Sequence, residues 1–276
     1  MDKSKLLEKT EKDYTTFPLT LETYSWFKPI LIAIIAVLVA MVVSFALLFI
    51  IRADATQQGI MRMIYAAITM IALIPGIYIG YKLLYKIPFS TQVAPTRKWN
   101  WGIYIKAFII TVLVYGVIQL IPMFISGIPA ITVPPIAILI LCLILPIFQG
   151  FSEEFLCRGL LMQTFGSWFK IPIVAIVIQA AIFAVLHPYQ LYALIGVFCT
   201  GLLYGLITWY GQGLESSSAM HAVNNIFAFL AMAVGLQQGA AESSLFAFVM
   251  NLVVLIIPII IVIALDKKFN LFGLKE

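Results

Sequence analysis

Charge is scarce in this chain. Only 11% of its 276 residues are Asp, Glu, Lys or Arg, where a soluble domain carries about 25%. Apolar residues make up 63% and the mean hydropathy is +1.06, which excludes water-soluble packing and reads as an integral membrane protein. Histidine is almost absent, with His187 and His221 as the only two. Cysteine is nearly as rare: Cys142, Cys157 and Cys199 lie far apart with no C-x-x-C pair. That pattern argues against a disulfide framework or a thiolate metal cluster. The net charge of +5 forms no basic stripe. Lys and Arg instead flank apolar runs, so they read as topology signals and headgroup contacts, with no nucleic-acid partner.

What is present is a succession of long apolar runs. The first, "KPILIAIIAVLVAMVVSFALLFIIR", lies between Lys28 and Arg52, and about 20 residues suffice to cross the hydrocarbon core as a helix. It is too long for the apolar region of a cleaved signal peptide and is expected to stay in place. Further spans are expected near 60–81, 103–125, 131–151, 172–187, 191–210, 216–235 and 244–265. The expected fold is therefore all-α, a polytopic membrane protein of about eight transmembrane helices. The organisation reads as a cytoplasmic tail (1–27), N-terminal helices (28–125), a core (130–232) and a last helix with its tail (244–276). "ISGIPAITVPP" reads as a tight external connection before a helix start. With the N-terminus inside, fifteen of the 17 Lys and Arg fall on the inner side, against Arg52 and Arg62 outside. Both termini are thus expected in the cytoplasm.

Ionisable residues at membrane depth are costly and carry a functional expectation. Away from loops and ends these are Glu153, Glu154, Arg158, His187 and His221. Glu154 and Arg158 are four apart, the spacing of an i,i+4 ion pair. Glu153 points about 100° away and is left without a local cation. Glu153 therefore reads as the working carboxylate and Glu154–Arg158 as a supporting clamp. His221 and Asn225 share a helix face, as do Phe183 and His187, which would stack an aromatic beneath the imidazole. If the helix carrying Glu153 runs on to Gly166, Glu153 lies roughly 20 Å from that end and His187 roughly 22 Å above Pro172. His221 lies only about 12 Å past the Gly211–Gly213 turn, a mismatch that tilt or the "SWFK" segment must absorb.

These residues resemble a known family, the CPBP intramembrane proteases (CAAX protease and bacteriocin-processing, also called Abi), which include the type II CAAX prenyl endopeptidase. The family pattern E-E-x-x-x-R, F-x-x-x-H, H-x-x-x-N appears here as Glu153-Glu154-x-x-x-Arg158, Phe183-x-x-x-His187 and His221-x-x-x-Asn225, in order and on separate expected helices. The resemblance covers about residues 130–232. It implies an endopeptidase acting on a membrane-bound peptide, with Glu153 and His187 activating water. His221 and Asn225 would steady the oxyanion, and Glu154 and Arg158 would hold the site together.

Two His and a Glu would also suit a catalytic zinc held by His187, His221 and Glu153. Zinc and no metal both stay open at this point. The short tails and compact length suggest a multi-pass protein of a bacterial cell membrane, with a bacteriocin, pheromone precursor or similar peptide as substrate, or a role in self-immunity. Two rivals are a non-catalytic immunity or scaffold protein and a proton-coupled transporter. The lack of a visible half-chain repeat counts against the transporter.

Overall fold

No water reaches a bilayer core to satisfy backbone N–H and C=O groups, so an apolar run has only a helix or a closed barrel open to it. The computed structural model describes residues 13–50, 59–127, 129–236 and 245–272. Every long regular element among them is a helix: α1 Lys28–Ile50, α2 Ile60–Ile71, α3 Leu73–Leu84, α4 Phe89–Val93, α5 Trp101–Ser126, α6 Ile136–Glu154, a π-helical stretch Phe155–Met162, α7 Gln163–Phe169, α8 Pro172–Val185, α9 Leu191–Gly211, α10 Glu215–Ala233 and α11 Leu245–Phe269. The lysines at 3, 5, 9 and 12, Arg52 and Lys275 lie outside the described residues.

Each of the eight expected spans contains a helix, yet among the described residues only six helices are long and apolar enough to cross a membrane. The two that fall short do so for different reasons. Helix α8 has 14 residues, less than the about 20 that a span needs. Helix α10 is polar at its start, and Glu215 through Val223 are all buried. Protein surrounds it instead of lipid, which is why "ESSSAMH" is tolerated there. The expected span at 60–81 is two helices meeting at Ala72. The helix expected at 131–151 begins only at Ile136 and runs on through the π-helical stretch to Phe169, 34 residues in all, with Pro146 inside it.

Close approach of backbones sets the helix pairs. A Cβ on Gly76 would lie 2.6 Å from the Ala36 Cα, and one on Gly80 would lie 2.9 Å from Ile32. This G-x-x-x-G face joins α3 to α1. A Cβ on Gly150 would lie 2.8 Å from the Ala222 backbone nitrogen, so α6 and α10 touch backbone to backbone just below the two glutamates. Gly201 meets Ala180 in the same way, joining α9 to α8. We expect Gly150→Leu to push α6 from α10 and cost about 1–3 kcal/mol or more, as overpacking does. The check is a lowered thermal midpoint in detergent; an unchanged midpoint would refute the close-approach argument.

Residues 13–27 are not a free tail. Tyr14 and Thr15 are fully buried, and Thr15 packs on Gly166 of α7. Trp209 Nε1 donates to Asp13 (3.1 Å), and Trp168 Nε1 donates to the Trp26 carbonyl (3.0 Å). This segment closes one end of the bundle. Nearby, Arg97 forms a bidentate pair with Glu215 (2.6 and 2.9 Å) and donates to the Gly211 carbonyl. Asn100 N also donates to Glu215 (2.9 Å), fixing where α10 begins.

Candidate active site

The close approach at Gly150 places α10 directly opposite the carboxylates. His221 Nδ1 bonds Glu154 Oε1 at 2.8 Å, and its Nε2 faces Glu153 Oε2 at 3.4 Å. The expected depth mismatch is resolved by helix length. His221 lies six residues past Glu215 and rests beside Tyr204, seven residues before Gly211 (ring centroids 5.5 Å). Both are therefore about 10 Å from that end of their helices. Glu153 is 16 residues from Phe169, about 24 Å, because the long helix continues past the site to meet the N-terminal segment.

The clamp is present. Arg158 and Glu154 are fully buried, with Nη1 to Oε1 at 2.8 Å. Arg158 Nη2 donates to the Gly201 carbonyl (3.0 Å), which also accepts from Gln179 Nε2 (2.9 Å). The guanidinium carbon lies 5.1 Å from the Phe183 ring centroid and 5.7 Å from that of Tyr204, within cation–π range. Phe183 also stands edge-on to His187 (4.7 Å, 67°) and to His221 (6.0 Å, 86°). Its ring is T-shaped to both imidazoles, a correction to the stacked arrangement expected from spacing.

An α-helical reading of 151–161 misses one feature. Arg158 lies in a π-helical stretch that starts immediately after Glu154, and such stretches recur at functional sites. Gly159 within it offers its carbonyl to the Tyr81 hydroxyl at 3.0 Å, an external donor for the widened turn. Nothing in the residue types announces this change of helix.

Glu153, His187, His221 and Asn225 all line one cavity of about 610 Å³. Glu153 is 8% exposed and accepts from Gln149 Nε2 at 2.8 Å. His187 Nδ1 bonds the Phe183 carbonyl (2.7 Å). A carbonyl can only accept, so Nδ1 carries the proton and Nε2 keeps the lone pair in neutral His187. The Glu154 contact sets the same tautomer in neutral His221. The expected Glu153–His187 partnership therefore takes a different form: Glu153 faces His221 at close range, and His187 shares the cavity. Tyr189, beside His187 (ring centroids 5.4 Å), also lines it, and burial followed by the Glu153 charge raises its phenol.

The side chains that sequence reasoning missed are Gln149, Tyr115 and Asn224. Gln149 lies four residues before Glu153, a spacing that could have revealed it. Tyr115, on α5, has no signal linking it to the motifs.

The fit to zinc is poor. The 3.4 Å between His221 Nε2 and Glu153 Oε2 would allow two ligands of one ion. However, no group of three or more His, Cys, Asp or Glu among the described residues is arranged to hold a metal. His187 is not gathered with the other two.

Residues 134–227 match the family described as "Type II CAAX prenyl endopeptidase Rce1-like". This segment is similar to the Rce1-like family. It contains every candidate side chain from Glu153 to Asn225. The chain is also 30% identical over 167 residues to "Uncharacterized protein YyaK" of Bacillus subtilis (strain 168), covering 56% of this chain and 56% of that protein. The chain thus spans little more than half the length of that curated relative. Together with the apolar helices, this match points to a multi-pass membrane protein.

Proposed function

We propose that this chain is an intramembrane endopeptidase that hydrolyses a peptide bond in a membrane-associated peptide without a metal ion. The observation carrying the reading is the joint exposure of Glu153, His187, His221 and Asn225 to one cavity inside a bundle of apolar helices. Water in that cavity gives a proton to the Glu153 carboxylate, with His187 Nε2 as the second acceptor orienting it. The resulting hydroxide forms the C–O bond to the scissile carbonyl, and the carbonyl electron pair moves to oxygen. Asn225 stabilises that oxyanion by donating to it in a water-poor site, where such donors are most effective. His221 Nε2, held opposite Glu153, receives the proton and returns it to the departing amine as the C–N bond breaks. Glu154 and Arg158 keep the imidazole in place.

The substrate class follows from the setting: a peptide anchored at or in the bilayer. For a bacterial cell membrane with both termini cytoplasmic, a bacteriocin or pheromone precursor fits, in maturation or in self-immunity. The test is cleavage of a membrane-tethered peptide by protein reconstituted in liposomes, read by mass spectrometry, with and without a zinc chelator. The expected result is cleavage that survives chelation and is lost in Glu153→Gln. Cleavage abolished by the chelator and restored by zinc would overturn the metal-free part.

A further inference from the structure

Asn225 can serve an oxyanion only if its NH₂ group, not its carbonyl, faces the substrate. An asparagine amide swings freely unless something holds one end. Here the Asn225 Oδ1 accepts from Asn224 Nδ2 at 3.0 Å, and the Asn224 Oδ1 accepts from the Tyr115 hydroxyl at 2.7 Å. Neighbouring residues on a helix point about 100° apart, so a side-chain bond between them is unusual and needs an anchor. Tyr115 supplies it from α5. Its ring is 4% exposed, packs with Val223 and Val254, and lies 5.2 Å from the Phe227 ring.

We infer that Tyr115 and Asn224 are positioning residues: the chain Tyr115–Asn224–Asn225 fixes the Asn225 amide so that its Nδ2 points into the cavity. The direction is that of the hydrogen bonds in the structure, where the Tyr115 hydroxyl is the donor. The hydroxyl donates to Asn224 Oδ1, which leaves Asn224 Nδ2 facing Asn225 and commits Asn225 Oδ1 to receive it. With that oxygen held, Asn225 Nδ2 is the donor left for a ligand. A reversed Asn225 would present its oxygen to the growing negative charge and repel it. All three residues line the same cavity as Glu153 and His221. The inference rests on the endopeptidase reading and adds to it two residues that the sequence motifs do not specify.

The test uses the reconstituted full chain and a membrane-tethered peptide. Tyr115→Phe keeps the packed ring and removes only the hydroxyl. Asn224→Asp keeps the shape and the acceptor for Tyr115 but loses the donor to Asn225. Each is expected to lower kcat about tenfold with KM within about twofold, against about 10²–10³ for Asn225→Ala, the usual loss for one oxyanion donor. Added to Asn225→Ala, Tyr115→Phe is expected to cost nothing more, because both act through one amide. The thermal midpoint of Tyr115→Phe should match that of the parent.

Full kcat in both Tyr115→Phe and Asn224→Asp, with Glu153→Gln inactive, overturns the positioning chain and leaves the endopeptidase reading standing. An equal loss from Tyr115→Phe on the Asn225→Ala background also overturns it, since Tyr115 then acts elsewhere. Full activity in Glu153→Gln removes the endopeptidase reading and the chain with it.

Discussion

Glu153→Gln is expected to abolish cleavage while leaving the protein folded. The contacts of Glu153 explain why both should hold at once. Its Oε1 accepts from Gln149 Nε2 at 2.8 Å, and its Oε2 faces His221 Nε2 at 3.4 Å. A glutamine can keep both: its carbonyl accepts from Gln149, and its NH₂ donates to the imidazole lone pair. Shape and hydrogen bonding are retained, and only the ability to take a proton is lost. General-base catalysis contributes about 10²–10⁴-fold, so the cleavage rate should fall by at least that factor. His187→Ala should reduce the rate too, because it removes the second lone pair facing the cavity. The measurement is initial cleavage rate per folded protein, with folding checked by thermal midpoint. A Glu153→Gln rate within about twofold of the parent would refute a general-base role, given the contribution such groups make.

The second large effect concerns stability. Arg158→Met should destabilise the protein by about 3–5 kcal/mol, the cost of leaving one member of a buried ion pair behind. Glu154 is fully buried, and its Oε1 takes both the guanidinium and His221 Nδ1. Without Arg158 that charge loses its guanidinium partner, and the Gly201 carbonyl loses a donor. Removing both partners, as Glu154→Leu with Arg158→Met, should recover much of the loss, because replacing a whole buried pair by apolar side chains is often neutral. Activity should not recover with it, since His221 Nδ1 then lacks the acceptor that sets its tautomer. Thermal midpoints and cleavage rates of the single and double variants provide the check. A single variant as stable as the parent would show that the pair does not hold the bundle.

Much of the site was legible because charge is so rare here. In a chain with two histidines and 11% charged residues, each ionisable group at depth stands out, and i,i+4 spacing alone pairs Glu154 with Arg158. The same spacing links Gln149 to Glu153 and would have extended the site by one residue. Tyr115 could not be found that way. It lies 109 positions from Asn224, and a tyrosine in an apolar helix has many ordinary reasons to be there. Among the described residues six helices, not eight, are long and apolar enough to cross a membrane. Helix α10 is buried along its first nine residues and can therefore carry three serines and a glutamate.

By itself, then, the sequence determined the membrane class, the helical content, and the ionisable side chains that meet. Apolar length and the cost of burying charge are local properties of a chain, readable from residue types and spacing. Only the tertiary structure decided who faces whom: His221 beside Glu153 as well as Glu154, Phe183 T-shaped to both imidazoles, the π-helical turn at Arg158, and the hydrogen bonds from Tyr115 through Asn224 to Asn225. Those outcomes depend on how closely backbones approach at Gly150 and Gly201, and on helix ends tied together by Arg97 and Glu215. Such distances belong to no single segment.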